Sequence, residues 1–379
     1  MNVLITGARA PIAADIAHAF VLQGHRVYTS DSLSHPVGRY VPGIAGYLRL
    51  PAPRANGMIF GAELAQAIFE RDIELVIPTS EEVFWLAHVK AAHGEHWPAT
   101  CRLFTSSAQV LDLLHHKGSF AQMANTLGIG AGTFHGVATP EQMERFLDEH
   151  DPAGFVFKRM YSRFATDVLI SPSVQDVRAL MLDESNPWLA QPRVHGEEVC
   201  LYNIAHEGEL LLHTAYRPRW RAGKGASVYF EPVQDERLME LSRKVVAATS
   251  FTGQISFDVI QGARGPVAIE CNPRGTSGVH LAAQQPYQFV HAFNGKPAGV
   301  SNPEPRMLAL PLLMYHPQLL LSKEGRAGWK SGKDAMREAG VPLRGQVMAT
   351  AELLWKAAKA RTSPQAVSTV DIEWNGTAR

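Results

Sequence analysis

The sequence has little of the features that mark several classes of protein. It contains 36 basic and 36 acidic side chains in 379 residues, so no excess of charge indicates a nucleic acid or an anionic membrane as partner. No apolar run reaches the roughly 18 residues of a membrane span, and Met1 leads directly into a strand pattern. We therefore expect a cytoplasmic protein with small-molecule partners and neither nucleic acid nor membrane among them.

Cysteine is also scarce. Cys101, Cys200 and Cys271 are odd in number and have no C-x-x-C spacing. A zinc knuckle and a disulfide framework are therefore not indicated, and buried reduced thiols are expected.

A complete dinucleotide fingerprint is missing from the N-terminus. A strand over Asn2 to Ile5, a helix from about Pro11 and a second strand ending at Asp31 form the β-loop-α-β opening of doubly wound folds. A fingerprint requires G-x-G-x-x-G, whereas Gly7 is followed by alanine and proline. The opening predicts a Rossmann-like unit, with an NAD(P)-dependent oxidoreductase or epimerase as an alternative function.

The sequence does contain a group of hard oxygen donors. Residues 254–275 are typical of a β-hairpin, with an apolar strand on each side of a glycine-rich turn. Because residues i and i+2 share a face, Glu270, Asn272 and Arg274 are expected to point one way, and Asp258 to face Glu270. Adjacent carboxylates favour a cation, and oxygen donors suit Mg²⁺. A solvated strand end is the alternative interpretation.

Other candidate groups lie upstream of this hairpin. Lys117 opens a helix, Lys158 closes an apolar strand, and residues 217–225 concentrate four cations among glycines. The cationic run is typical of a solvated loop, or of a loop that closes over a phosphate or a carboxylate. After the strand that ends at Pro78, Ser80 and Glu82 are interpreted first as a helix cap and a first-turn acid, and otherwise as ligand groups.

Taken in order, these motifs resemble the ATP-grasp superfamily of carboxylate-amine ligases, in the branch similar to carbamoyl phosphate synthetase large chains and biotin carboxylases. Lys117 stands in a D-x-x-x-x-K-x-x-F setting, Lys158 ends a strand, and Gln191 to Glu198 reads Q-x-x-x-x-G-x-E. The hairpin follows these motifs. The resemblance covers approximately residues 1–280.

The resemblance implies an ATP site between two small sheets, with Mg²⁺, or Mn²⁺ in its place. The residues it implies are Lys117 and Lys158 on the phosphates, Gln191, Arg193 and Val194 near the adenine, Glu198 on the ribose, and Asp258, Glu270 and Asn272 on the metals. The phosphate-covering loop is normally glycine-rich, whereas residues 160–167 lack glycine. Arg163 is therefore expected to make part of the phosphate contact.

The implied reaction has two steps. ATP phosphorylates a substrate carboxylate, and an amine then displaces phosphate from the acyl phosphate. Arg274 is expected where the transferred phosphoryl group meets the carboxylate. On charge alone, the carboxylate is assigned to Arg219, Arg221 and Lys224 and an amino group to Glu81 and Glu82. A catalytically silent nucleotide-binding regulator is a third interpretation, and a homodimer is one option for assembly.

The predicted fold class is α/β and α+β: a Rossmann-like N-terminal domain, a two-lobed ATP-grasp fold and a small, mostly helical C-terminal region. The predicted boundaries are residues 1–105, 106–187 for the small lobe, 188–300 for the catalytic lobe and 301–379. Residues 369–374 are expected to form a terminal strand, and no chemistry is expected after residue 301.

Overall fold

The computed structural model describes residues 1–163, 167–223, 225–300 and 302–376. The N-terminal elements form a five-stranded parallel sheet, called the parallel sheet below, in the order β3-β2-β1-β4-β5. Its central strand is fully buried at Val3, Leu4 and Ile5, as expected when helices cover both faces. The elements are β1 (Asn2–Ile5), α1 (Pro11–Leu22), β2 (Arg26–Asp31), β3 (Gly46–Arg49), α2 (Gly57–Glu70), β4 (Leu75–Ile77), α3 (Glu82–His93) and β5 (Arg102–Leu103).

Two helices lead into a second sheet. This small sheet has four antiparallel strands in the order β6-β9-β7-β8 and its own apolar cluster around Phe146, Phe157 and Trp188. The elements are α4 (Ala108–His115), α5 (Lys117–Thr126), β6 (His135–Val137), α6 (Pro140–Glu149), β7 (Phe155–Arg159), β8 (Val168–Ile170), α7 (Val174–Arg178) and β9 (Trp188–Pro192).

The next part of the chain contains the long antiparallel strands. They include the predicted hairpin, whose strands pair from Ser256 with Asn272 to Gly262 with Gly265. The elements are β10 (Gly196–His206), β11 (Glu209–Pro218), β12 (Arg221–Ala222), β13 (Ala226–Ser227), β14 (Tyr229–Val233), α8 (Glu236–Ala248), β15 (Gly253–Gly262), β16 (Gly265–Asn272), α9 (Val279–Ala282) and α10 (Pro286–Phe293).

The C-terminal region is helical with two short strands that extend the large sheet, whose order is β16-β15-β10-β11-β14-β17-β18. The elements are β17 (Arg306–Met307), α11 (Ala309–Tyr315), α12 (Lys323–Ser331), β18 (Lys333–Asp334), α13 (Ala335–Glu338), α14 (Leu343–Ala360) and α15 (Pro364–Val367). Short 3-10 turns cover Val37–Tyr40, Gly94–His96, Pro152–Gly154 and Pro317–Leu321. Within the described ranges, no helix has both the length and the apolar character needed to cross a bilayer.

Two predictions about local structure are wrong. Residues 369–372 form a turn and Glu373 and Trp374 no regular element, so there is no strand here; the main-chain N–H groups of Ile372 and Glu373 both bond to the carbonyl of Thr369, at 2.9 and 2.8 Å. The cationic run is also not a continuous loop. It begins inside β11, and Arg221–Ala222 pairs with Ala226–Ser227 as a short hairpin.

The parallel and large sheets are joined by a shared apolar cluster. It contains Phe84 and Trp85 from α3, Val199 from β10 and Phe257 from β15, together with Trp374 from the C-terminal segment. The hairpin, the start of α5 and the end of the chain are thereby brought to one region of the molecule. The four domain boundaries given above remain a prediction.

Candidate functional site

The centre of the candidate site is the hairpin of β15 and β16. Asp258 and Glu270 are register partners across the two strands, which confirms that they face one another. A β-bulge follows Asp258, and Asn272 Nδ2 lies 3.5 Å from Asp258 Oδ2. Two carboxylates and the Asn272 amide therefore lie on one face of the hairpin, with the amide nitrogen towards Asp258.

The electrostatics of this pair are unbalanced. Burial, with the charges of Glu270 and Glu198, raises the pKa of Asp258 to about 7. Burial opposes ionisation of Glu270 too, but the ammonium groups of Lys117 and Lys158 outweigh it and lower the pKa of that carboxyl. The charge of Glu270 is thus neutralised by the two lysines, while the charge of Asp258 is poorly compensated. Hard oxygen donors with unrelieved repulsion fit a divalent cation such as Mg²⁺.

Two buried lysines lie beside the carboxylates. Lys117, the first residue of α5, has its Nζ 3.2 Å from Glu270 Oε1 and donates to the carbonyl of Ser162 at 3.1 Å. Lys158 on β7 donates to the carbonyl of Ile269 at 2.7 Å, so the small sheet crosses close to β16. Burial lowers the pKa of Lys158 to about 8, with Lys117 adding to that effect and Glu270 opposing it. The two ammonium groups can accommodate a polyanion next to the oxygen donors.

The crossover between the small and large sheets contains the residues assigned to a nucleotide base and ribose. Gln191 is buried in β9, and the guanidinium of Arg193 donates to Ser171 Oγ at 2.6 Å. Val194 lies near the end of β15, where its Cγ1 approaches within 3.4 Å of the position a Cβ on Gly262 would take. Glu198 is the third residue of the long strand β10, and its side chain is 40% exposed.

The cations of residues 217–225 do not form one group. Arg221 Nη2 donates to Glu198 Oε1 at 2.6 Å, so it lies beside the predicted ribose carboxylate. Arg219 instead pairs with Glu324 of α12 at 2.9 Å, and its guanidinium lies 4.6 Å from the ring centroid of Trp220. Lys224 lies outside the described residues.

Arg274 connects the hairpin to the parallel sheet. Its Nη2 donates to Asn272 Oδ1 at 3.2 Å and lies 3.7 Å from Glu81 Oε1. Glu81 is fully buried and also pairs with Arg163 at 2.6 Å. Burial opposes ionisation of Glu81, but the two arginines outweigh it and lower the pKa of its carboxyl. Arg163, predicted to contact phosphate, is here bound to Glu81.

Glu82 accepts hydrogen bonds from the turns of the parallel sheet, whereas its neighbour Glu81 pairs with arginines. Its Oε1 accepts hydrogen bonds from Thr6 Oγ1 at 2.8 Å and from the Thr79 N–H at 2.9 Å, and burial raises its pKa. It satisfies the turn before α3, whose N-cap residue is Glu81 rather than Ser80. A Cβ at Gly7, where φ is +67°, would lie 2.6 Å from Glu82 Oε1, so the first turn of the chain requires glycine.

The carboxylate expected to bind ribose in a dinucleotide fold is already engaged. Asp31, at the end of β2, accepts from the main-chain N–H of Arg9 at 2.8 Å and from its Nε at 3.0 Å. Both members of this ion pair are buried. The N-terminal turn therefore offers neither the glycines nor the acidic group of an NAD site.

The C-terminal segment reaches the candidate site through Trp374, a residue that no sequence motif marks. Trp374 is 1% exposed, and its indole N–H donates to Asp112 Oδ1 at 2.7 Å. Its main-chain N–H and carbonyl contact Glu81 and Arg163. The expectation of no chemistry after residue 301 stays a prediction, because these contacts position side chains of the site and assign no reaction to Trp374. The sequence pattern held no signal for them, because Trp374 joins its partners only through the fold.

The sequence matches no protein-family model and no curated protein. Solved structures do match. N5-carboxyaminoimidazole synthetase from Staphylococcus aureus has a TM-score of 0.63 and 13% identity, over 85% of this chain and 86% of that one. Phosphoribosylamine–glycine ligase from Thermotoga maritima has 0.60 and 16%, over 80% of this chain and 78% of that one.

A third match is the biotin carboxylase domain of 2-oxoglutarate carboxylase from Hydrogenobacter thermophilus, solved with MgADP, ADP and bicarbonate. Its TM-score is 0.60 at 12% identity, over 78% of this chain and 70% of that one. At such low identity the likeness shows the fold alone. It confirms the predicted architecture, a Rossmann-like sheet followed by an ATP-grasp fold.

Proposed function

We propose that this chain is an ATP-dependent ligase that activates a small carboxylate as an acyl phosphate and couples it to an amine, releasing ADP and phosphate. One observation carries the proposal. The oxygens of Asp258, Glu270 and Asn272 lie on one face of a hairpin, with Lys117 bound to Glu270 and Lys158 bound to the same strand. An ATP-grasp fold around that group supports it.

ATP is proposed to bind between the small and large sheets. Lys117 and Lys158 hold the phosphates, since each is a buried cation beside the hairpin. Gln191, Arg193 and Val194 border the adenine, and Glu198, oriented by Arg221, accepts from the ribose hydroxyls. Asp258, Glu270 and Asn272 are the residues that would hold Mg²⁺, which when bound would neutralise charge on the phosphate oxygens.

The chemistry requires mainly alignment and charge neutralisation by protein groups. In the first step a substrate carboxylate oxygen attacks the γ-phosphorus, the bond to the β,γ-bridging oxygen breaks, and ADP leaves. In the second step the amine nitrogen attacks the acyl carbon, phosphate leaves, and the nitrogen loses a proton to water. Arg274, fixed by Asn272 and Glu81, is proposed to contact the phosphoryl group as it is transferred.

The structure disfavours the two alternative functions that the sequence allows. An NAD(P)-dependent oxidoreductase or epimerase is disfavoured because Asp31 is engaged by Arg9 and Glu82 fills the turn at Gly7. A catalytically silent regulator is disfavoured because Asp258, Glu270 and Asn272 are all in place on the hairpin, with Lys117 and Lys158 beside them. The ligase accounts for both the lysines and the carboxylates.

The test is a screen for ATP-dependent phosphate release with small acids and amines, followed by mass spectrometry of the product. Glu270→Gln is expected to reduce turnover by about 10²-fold or more, because the variant loses a carboxylate that would hold Mg²⁺ beside the transferred phosphoryl group. Glu240→Gln, the same change at an exposed position on α8, is the matched control and should keep full activity. Full turnover by Glu270→Gln would overturn the proposal.

A further inference from the structure

The C-terminal end of α3 carries a group of metal-ligating side chains that the proposed function does not use. His93 is the last residue of the helix, and the 3-10 turn Gly94–His96 continues the chain from it. His93, Glu95 and His96 each offer one ligand atom, and these atoms lie within 4.8 Å of one another. Among the described residues, this is the only group of three histidine, cysteine or carboxylate side chains that comes so close together.

The path of the backbone explains why two histidines three positions apart meet. A 3-10 turn has three residues per turn, so side chains at i and i+3 are eclipsed along its axis. The rings of His93 and His96 accordingly have their centroids 6.3 Å apart and lie 18° from parallel. Glu95 is adjacent in sequence, and its Oε1 lies 3.5 Å from His96 Nε2. Local geometry therefore gathers two imidazoles and a carboxylate without contributions from distant parts of the chain.

The spacing of these ligand atoms matches the requirement of a tetrahedral metal ion. Bonds of about 2.0–2.2 Å from zinc to imidazole nitrogen and carboxylate oxygen put neighbouring ligand atoms about 3.4 Å apart. The 3.5 Å between Glu95 Oε1 and His96 Nε2 is already close to this separation. The side chains of Glu95 and His96 are 65% and 68% exposed, so rotation about their side-chain bonds can complete the geometry without disturbing the core.

The surroundings of the group favour a cation. The last carbonyl groups of a helix lack intrahelical partners and give its C-terminus a partial negative charge, and α3 ends at this group. Lys90 is the other basic residue in the last turn of α3, and its Nζ lies over the ring of Trp97, 4.6 Å from the centroid. The charge of this lysine is therefore already engaged by an aromatic ring.

The donor set differs from that of the hairpin of β15 and β16. Two imidazole nitrogens and one carboxylate oxygen suit Zn²⁺ and the neighbouring transition metals, whereas a set of oxygen donors suits Mg²⁺. Structural zinc sites are closed by four protein ligands, and a site with three keeps one position open to water. An ion held by this group is therefore expected to exchange with solution.

We propose that His93, Glu95 and His96 bind a zinc ion at the end of α3, with water completing the coordination. The site shares no residue with the hairpin and does not depend on the proposed function. Because its ligands lie within four consecutive residues, the metal fastens the last turn of α3 to the 3-10 turn that follows.

The first experiment is a calorimetric titration of the full chain, without an affinity tag, with Zn²⁺ in a buffer that contains saturating Mg²⁺. One zinc ion per chain is expected to bind. His96→Ala should raise the Kd for zinc by about tenfold or more, because a direct ligand is lost. The substitution is at an exposed side chain and is not expected to unfold the protein. A Kd that is unchanged in His96→Ala would overturn the proposal.

His291→Ala is the matched control. His291 also lies in the last turn of a helix, α10, but does not belong to the group of three ligands. This variant should bind zinc as the wild type does. An equal loss of zinc affinity in His291→Ala and His96→Ala would contradict a site at the end of α3.

Two further variants distinguish this site from the hairpin. Glu95→Gln keeps the size of the side chain and loses the charged ligand, so it should weaken zinc binding. Glu270→Gln removes a carboxylate from the hairpin and is expected to leave the affinity for zinc unchanged. Weaker binding by Glu270→Gln but not by Glu95→Gln would place the zinc ion at the hairpin and overturn the proposal.

Copper(II) reports the ligands directly. Cu²⁺ binds a given set of nitrogen and oxygen donors more tightly than the other divalent metals of its row, and its electron paramagnetic resonance spectrum resolves the coordinated nitrogens. Two nitrogens are expected for the wild type and one for His93→Ala. The same number of nitrogens in both proteins would mean that the two histidines do not share one ion, and would overturn the proposal.

Discussion

The hairpin of β15 and β16 and the C-terminal segment of residues 369–376, called the tail here, meet in the same region but are specified in different ways. The hairpin places Asp258 and Glu270 together through strand register across a short turn. The tail places Trp374 through separate contacts with distant residues, among them Asp112, 262 positions away, and Glu81, 293 positions away. Periodicity describes the first kind of order and contains nothing about the second.

The largest stability effect is expected in the tail. Trp374→Ala should lower the free energy of unfolding by about 3–5 kcal/mol, because it leaves a cavity among buried aromatic rings. Val370→Ala, at a neighbouring side chain that is 50% exposed, should change it by less than about 0.5 kcal/mol. Denaturant unfolding measures both. Equal, small losses would mean that the tail is not anchored by Trp374.

The tail should also make stability depend on pH. Burial lowers the pKa of His115 to about 4, with Arg163 adding to that effect and Glu81 opposing it. Because its folded pKa lies below the ordinary value of 6.5, His115 contributes stability above pH 6.5 that is lost as the pH falls through 4. The loss amounts to about 3 kcal/mol, at 1.36 kcal/mol for each unit.

His115→Gln keeps an N–H donor for the Trp374 carbonyl and cannot titrate. Its unfolding free energy, measured between pH 7 and 4.5, should therefore fall less steeply than that of the wild type. Identical slopes for the two proteins would show that His115 is not held neutral by the fold.

Removing one carboxylate from the hairpin should raise the free energy of unfolding, whereas the changes in the tail lower it. Asp258→Asn removes the repulsion with Glu270, so the chain without metal is expected to gain about 1–2 kcal/mol at pH 8, while stabilisation by ATP·Mg²⁺ is lost. Thermal unfolding with a chelator and with ATP·Mg²⁺ measures the two effects. A loss of stability in the chelator would mean that the carboxylates are not in conflict.

The smallest effects are expected at the cationic run. Arg221→Ala removes the partner of Glu198 and should weaken ATP binding several-fold, because an unpaired carboxylate is less well oriented for the ribose. Arg219→Ala should change both ATP affinity and the carboxylate KM by less than twofold, since Arg219 is bound to Glu324 and Trp220. A large rise in the carboxylate KM for Arg219→Ala would mean that Arg219 does bind the carboxylate substrate.

The difference between the hairpin and the tail separates the features that local sequence pattern predicts from those that it does not. The apolar runs and turn residues predicted the parallel sheet, the hairpin and the facing of Asp258 and Glu270, because these features follow from local periodicity. The ATP-grasp resemblance added Lys117 and Lys158, and the structure places both beside the hairpin.

The features that the sequence did not predict depend on long-range packing. Val370, Ile372 and Trp374 alternate with polar residues, which predicted a strand, yet this segment turns at Thr369 and has no ladder to join. In the charge run of residues 217–225, Arg221 likewise pairs with Glu198 on β10, whereas Arg219 pairs with Glu324 on α12. Local pattern does not determine which of several cations reaches a site.

The most direct test of the account is a calorimetric titration of the wild-type chain and Glu270→Gln with ATP, in Mg²⁺ and in chelator, with NAD as the competing ligand. We expect the wild type to bind ATP tightly only with Mg²⁺, Glu270→Gln to lose that dependence, and NAD not to bind. ATP binding that is the same in both proteins and without Mg²⁺, or tighter binding of NAD, would contradict an ATP·Mg²⁺ site at the hairpin.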